Sequence, residues 1–257
     1  MSGLMTDNRF KRRLLAGEPT VGIWCNITDS VVTEICASAG FHWLLLDAEH
    51  APHDLRSILH NLQAAAPYDT EIIVRPPHGD EVSIKRLLDI GARNLLIPMV
   101  ETPEHAAAMA AAVCFPPHGT RGVSSQTRAG NWGRNKDYLH HAREELCLIL
   151  QIESARAVEN VESIARVSGV DALFVGTADL AASLGHLGNP GHPEVKAAVN
   201  RVVAVARDVG IPLGTLTRDI DAAHRYLESG FSFVGVGTDT AILADSLARL
   251  RKSFEID

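Results

Sequence analysis

Eight short apolar runs recur along the chain, each separated from the next by a stretch with helical patterning. They are TVGIW (20–24), HWLLLDA (42–48), EIIVRP (71–76), NLLIPMV (94–100), CLILQIE (147–153), DALFVG (171–176), IPLGTL (211–216) and FSFVGVG (231–237). Each is continuous rather than alternating, as in strands buried on both faces of a parallel sheet. The segments between them include DSVVTEICASAG (29–40), DLRSILHNLQAAA (54–66), VSIKRLLDIGA (82–92), SARAVENVESIARVSG (154–169) and PEVKAAVNRVVAVARDVG (193–210). Most close on glycine or on a turn before the next strand, where a helix is expected to stop. Such alternation leaves two architectures, a doubly wound sheet or a closed barrel. Eight strands in 257 residues favour the barrel, which typically needs about 250 residues. The expected fold is therefore α/β, a (β/α)8 TIM barrel in which residues 1–257 form a single domain. The last segment, DTAILADSLARLRKSFEID, reads as an amphipathic helix.

Charge narrows the partners. The net charge is −7 with no long run of one sign, so neither nucleic acid nor a membrane surface is an expected partner. An anionic substrate would need locally placed cations, because the overall field does not attract it. The stretch MSGLMTDNRFKRRLLAGE holds no apolar run long enough for a signal peptide, and no run reaches transmembrane length. Cys25, Cys36, Cys114 and Cys147 are scattered without a CxxC. They read as reduced, mostly buried thiols of a cytoplasmic protein.

In a (β/α)8 barrel the chemistry sits at the carboxyl ends of the strands. There the sequence places Trp24, then Asp47-Ala48-Glu49-His50, Arg75-Pro76-Pro77, Gln151-Ile152-Glu153, Gly176-Thr177-Ala178-Asp179 and Leu216. Polar and charged residues thus collect at one end. Glu153 and Asp179 terminate adjacent strands. Two carboxylates with remaining positions left to water and substrate suit Mg²⁺, Mn²⁺ or Co²⁺. Taken alone the pair could equally be a solvated rim group beside arginines. Arg75 can stabilise an oxyanion, or form a rim salt bridge. His50, among twelve histidines, directly follows a strand and is placed to accept a proton, or to cap the next helix. No lysine stands at a strand end, which disfavours Schiff-base chemistry. His140-His141 are neighbours on a helical pattern and cannot share a face. His186 and His192 flank a glycine-rich loop without the spacing of a zinc site.

The blocks LLLDAEH (44–50), IVRP (73–76), LLDIGARNLLIPMVET (87–102), FPPHGTRGV (115–123), LILQIES (148–154) and FVGTADLAASLG (174–185) resemble, in order and separation, the HpcH/HpaI aldolase family. Its members are metal-dependent pyruvate aldolases acting on 4-hydroxy-2-oxo acids, and the resemblance spans nearly the whole chain. It implies Glu153 and Asp179 as metal ligands, with Gln151 contacting the 2-oxo acid and Ala178 and Asp179 meeting its carboxylate through backbone N–H groups. It also implies Arg75 as transition-state stabiliser, His50 as base and Asp47 as the group meeting the hydroxyl derived from the aldehyde. Trp24 and Leu216 would be apolar walls. Asp89 matches the residue that raises the basicity of the histidine. Its place at a helix end entering a strand puts it at the opposite end from its own His50, so a neighbouring subunit would supply it. The resemblance further implies homohexamers, dimers of trimers, with C-terminal helices exchanged between subunits. The segment SSQTRAGNWG (124–133) is expected to shape the aldehyde end of the pocket. Small-molecule 2-oxo acids and aldehydes are the expected partners. A CoA-ester lyase of the related branch, a 2-oxo acid decarboxylase and a non-catalytic ligand-binding barrel stay open as alternatives. The identity of the aldehyde stays open too.

Overall fold

Each apolar run becomes a strand in the computed structural model, which describes residues 8–254. The strands are β1 (Thr20–Cys25), β2 (Trp43–Asp47), β3 (Glu71–Arg75), β4 (Asn94–Ile97), β5 (Cys147–Ile152), β6 (Ala172–Val175), β7 (Leu213–Leu216) and β8 (Phe233–Thr238). All pair in parallel and in sequence order, and β8 returns to β1 to close the barrel. Twelve helices occupy the described residues. They are α1 (Arg9–Leu15), α2 (Ser30–Ser38), α3 (Leu55–Ala65), α4 (Glu81–Asp89), α5 (Pro103–Ala112), α6 (Tyr138–His141), α7 (Ala155–Glu159), α8 (Val161–Ala165), α9 (Thr177–Ser183), α10 (Pro193–Val209), α11 (Ile220–Glu228) and α12 (Asp239–Lys252). No helix among the described residues is long and apolar enough to cross a membrane. The signal-peptide reading of residues 1–7 and the last three residues of the closing helix lie outside the described residues.

Local chemistry sets the helix starts. The side chains of Asp29, Asp54, Asp80, Thr102, Ser154, Asp219 and Thr238 each accept a hydrogen bond from a first-turn N–H, which satisfies a donor the helix cannot. Two elements differ from expectation. β4 stops at Ile97 because Pro98 cannot donate to the ladder and Met99 takes a left-handed backbone, φ 53°. The segment 154–169 divides into α7 and α8 at Asn160, whose backbone leaves the helical region.

Residues of alternate parity build two cores. Outward-facing Leu44, Leu46, Val74, Leu95, Leu148 and Leu150 pack beneath the helices. Inward-facing Trp24, Trp43, Leu45, Ile73, Leu96, Ile149, Phe174 and Phe233 fill the barrel. Gly22 and Gly214 admit the large rings: a Cβ would lie 2.1 Å from Trp43 on the first and 2.3 Å from Phe233 on the second. Helix α1 stoppers the amino-terminal end, inserting Phe10 edge-on against Trp43 and Phe233 with centroids 6.3 and 5.4 Å away. Its cap, Asn8, donates to Asn94 Oδ1 at 2.7 Å and to the Glu145 carbonyl at 2.9 Å. Helix α12 has the opposite character. Its Ile242, Leu243, Leu247 and Leu250 are all more than half exposed or at that level, as are Val31 and Ile35 on α2.

Candidate active site

Strand parity carries the inward direction past the core to the carboxyl ends. Trp43 and Leu45 point inward, so Asp47 does; Ile73 implies Arg75, and Ile149 implies Gln151 and then Glu153. A cavity of about 610 Å³ opens there. Trp24, His50, Arg75, Gln151, Ala178, Asp179 and Leu216 all line it, so seven expected residues meet around one space.

Arg75 is buried and held on two sides. It donates to Asp47 through Nε at 3.0 Å and Nη2 at 2.6 Å, and its Nη1 lies 3.0 Å from Glu49 Oε2. The guanidinium also stacks 5.2 Å from the Trp24 ring centroid. Asp47 does not line the cavity. Its oxygens already accept from Arg75, from Trp24 Nε1 at 3.2 Å, and from the N–H groups of Glu49 and His50 at 3.0 and 3.3 Å. Burial works to raise the Asp47 carboxyl, but the hydrogen bonds and charge of Arg75 outweigh it and hold it below the usual range. Asp47 therefore fixes the arginine and the start of the β2 loop. His50 is 63 % exposed, with Nε2 3.8 Å from Glu49 Oε2.

Glu153 has the contrasting setting. It is 2 % exposed and accepts the Met99 N–H at 2.8 Å and the Gln151 side-chain amide. The left-handed Met99 backbone aims that N–H inward, a conformation costing on the order of 1–2 kcal/mol for a side-chain-bearing residue. Among the described residues no lysine or arginine pairs with Glu153. Burial pushes its carboxyl up to about 7; the Met99 bond and the nearby charge of Arg75 oppose this, and the charges of Asp179 and Glu49 add to it. Gly176 makes the space: a Cβ there would lie 2.6 Å from Glu153 Oε2. Gln151 Oε1 is buried without a protein partner. A buried carboxylate, the exposed one of Asp179 in the first turn of α9 and an orphaned amide oxygen fit a hard divalent cation and its oxygen-rich ligand.

Asp89 lies elsewhere, as its position in the sequence requires. It ends α4, is 27 % exposed, and accepts from Arg121 Nη2 at 3.1 Å. Arg121 is wholly buried, bonds Tyr138 Oη at 2.9 Å and stacks on Phe115. Residues 124–133 do not shape this chain's own pocket, contrary to expectation. They belong to the connection from α5 to β5, and a helix-to-strand connection lies at the amino-terminal end of a barrel. There Ala129 N–H bonds the Asp89 carbonyl at 3.2 Å and Arg128 Nη1 bonds that of Ile90 at 2.8 Å.

A profile of the HpcH/HpaI aldolase/citrate lyase family matches residues 20–246. The chain belongs to this family. It is 49% identical over 249 residues to a protein of Pseudomonas aeruginosa named hydroxypyruvate/pyruvate aldolase, covering 96% of this chain and 93% of that one. It is 45% identical to the 4-hydroxy-2-oxo-heptane-1,7-dioate aldolase of Salmonella paratyphi C, covering 97% and 95%. A crystal structure of an HpcH/HpaI aldolase/citrate lyase family protein from Burkholderia cenocepacia superposes with a TM-score of 0.94 at 40% identity, covering 97% of this chain and 100% of that one.

Within this HpcH/HpaI barrel, some cavity residues escape a reading of motifs. Thr217, Arg218, Thr238 and Pro190 line the space on loops whose direction no periodicity reveals. Glu49 stands beside Asp47 in the sequence, but only the fold shows its carboxylate between Arg75 and His50. Spacing also misses a side-chain group on the loop before α10. His186 and His192 stack at 3.5 Å, and His186 Nε2 lies 2.7 Å from Glu194 Oε2. Their ligand atoms lie within 4.8 Å of one another. Lone pairs of parallel stacked rings do not converge on one point, so the arrangement reads as a staple of the loop onto α10.

Proposed function

We propose that this protein is a divalent-metal-dependent aldolase that reversibly cleaves 4-hydroxy-2-oxo acids to pyruvate and an aldehyde. The observation carrying the reading is Glu153, buried against the cavity-lining Gln151 and Gly176 without a lysine or arginine among the described residues bonded to it, while Arg75 is held by Asp47 and Glu49. The names of the relatives support the same reaction class. Glu153 and Asp179 would hold the cation, which when bound polarises the keto group of the 2-oxo acid.

The chain's own groups do the rest. Gln151, through its unpartnered oxygen or the amide it turns toward Glu153, orients the acid. The backbone N–H groups of Ala178 and Asp179 open helix α9 and favour a carboxylate. In cleavage, His50 takes the proton of the C4 hydroxyl. The C3–C4 bond breaks, the aldehyde carbonyl forms, and the electron pair passes through C3 to the C2 oxygen. Arg75 stabilises the charge that collects there, oriented in advance by Asp47. Proton return to C3 gives pyruvate. Trp24 and Leu216 exclude water from the aldehyde side.

The reading extends to assembly. Asp89 cannot assist the His50 of its own barrel, and α12 leaves its apolar side uncovered. A second copy supplies both needs: its Asp89 to His50, and an apolar surface for Ile242, Leu243, Leu247 and Leu250. The test of the reaction is pyruvate release from a panel of 4-hydroxy-2-oxo acids, with EDTA or with Mg²⁺, Mn²⁺ or Co²⁺. Release that EDTA abolishes and a metal restores is expected. No release from any panel member by the folded, metal-loaded protein would refute the reading.

A further inference from the structure

The turn after β7 carries a cation that the reaction outlined above does not use. Arg218 lines the cavity beside Leu216 and Thr217, and among the described residues it makes no hydrogen bond or ion pair. Its backbone is nonetheless fixed. Thr217 N–H bonds the Gly235 carbonyl at 2.9 Å, Asp219 N–H bonds Thr217 Oγ1 at 3.1 Å, and the Asp219 carboxylate caps α11 through Ala222 N–H at 3.0 Å. The carboxylate nearest in sequence is therefore occupied, and the guanidinium projects from a held turn.

The electrostatic setting gives this arginine a task. The chain carries a net charge of −7, and Asp47, Glu49, Glu153 and Asp179 gather at the mouth. Arg75 is spent on Asp47 and Glu49. Of the two arginines that line this cavity, Arg218 is the one left to meet a second anionic group on a substrate. The cavity, about 610 Å³, has room for a chain beyond the three carbons of pyruvate, and Trp24 and Leu216 give that chain an apolar wall leading to the arginine's turn.

We propose that Arg218 is a specificity-determining residue that selects acceptor aldehydes carrying an anionic group at the end remote from the carbonyl. This rests on the aldolase reading and names the class of aldehyde within it. Guanidinium recognises carboxylate and phosphate by the same forked geometry, so the shared chemistry is a terminal oxyanion.

The experiment compares wild type with Arg218→Ala and Arg218→Lys in the synthesis direction, with pyruvate and metal. Two matched pairs are used: succinic semialdehyde against butanal, and glyceraldehyde 3-phosphate against glyceraldehyde. The readout is the ratio of kcat/KM for the anionic over the neutral member of each pair. Loss of a charge-assisted hydrogen bond predicts a fall in that ratio of roughly 10- to 100-fold in Arg218→Ala, carried by KM. Arg218→Lys keeps part of it, and raising the salt shrinks the wild-type preference because the site is open to solvent. The pair whose ratio falls further identifies carboxylate or phosphate. An unchanged ratio in both pairs overturns the proposal. Binding of 4-hydroxybutyrate, a non-reacting analogue of succinic semialdehyde, by calorimetry provides an arm independent of turnover. It should weaken about tenfold in Arg218→Ala. If wild type turns over nothing, the aldolase reading fails, and this binding arm still decides for or against Arg218 as an anion receptor.

Discussion

If Glu153 holds the proposed cation, a proton and the cation compete there. Burial raises its carboxyl from the usual 4.5 to about 7, so at pH 6 most of the metal-free protein holds a proton there. Cation binding must displace it, and apparent metal affinity should fall about tenfold per pH unit below 7, measured by titration calorimetry at pH 6 and 8. The sign for folding is the reverse. A raised carboxyl favours the folded state below its unfolded value, and that contribution is lost as pH rises through about 7 unless a cation replaces the proton. Glu153→Gln should weaken metal binding by more than about 100-fold, since even partners one step removed from a metal are worth 10- to 100-fold. Gly176→Ala tests the space beside it: the added Cβ meets Glu153 Oε2 at 2.6 Å, and crowding of about 1–3 kcal/mol should appear as a lowered melting temperature with weakened metal binding. Glu153, Gln151 and Arg75 are legible in the sequence because each continues the inward parity of a strand. Met99 and Arg218 are not, since a left-handed backbone and the aim of a turn follow no period.

At the scale of elements, all eight strands can be read from the apolar runs, and the ends shift by a few residues for local reasons. NLLIPMV gives up its last three positions because proline ends the ladder. The connection from α5 to β5 shows what composition alone misses. Its glycines, prolines and polar residues suggest a loop with a function, but which end of the barrel it occupies follows from its order between helix and strand. It braces Asp89 instead of covering the cavity, chiefly through the buried Arg121. Helix α1 is not read from the sequence, yet the fold makes it part of the core. Phe10→Ala should cost about 3–5 kcal/mol, seen as a shift of the urea midpoint, because the cavity left between Trp43 and Phe233 cannot readily collapse.

For the whole molecule, the separation of His50 from Asp89 means that, in the proposed reaction, catalysis would be a property of the assembly. His50→Ala and Asp89→Asn proteins should each be weak alone. Dissociated together and reassembled, they should regain activity at roughly a quarter of sites, as random mixing of subunits requires. Sedimentation should show that Leu247→Glu with Leu250→Glu, placed on the uncovered side of α12, breaks the assembly. The sequence alone offers no route to this arrangement beyond family resemblance, since one chain's pattern does not say what another chain covers. The stopper formed by α1 has a further consequence, for the order of traffic. With Phe10 and Leu14 sealing one end, the barrel is a vessel with a single opening. Gln151 lies deep in it against the buried Glu153, and the exposed Arg218 and Ala178 stand at its lip. Whatever is bound at depth must arrive first and depart last. In the cleavage direction, pyruvate should therefore inhibit competitively against the 4-hydroxy-2-oxo acid and the aldehyde noncompetitively, the signature of a queue in which the aldehyde leaves first.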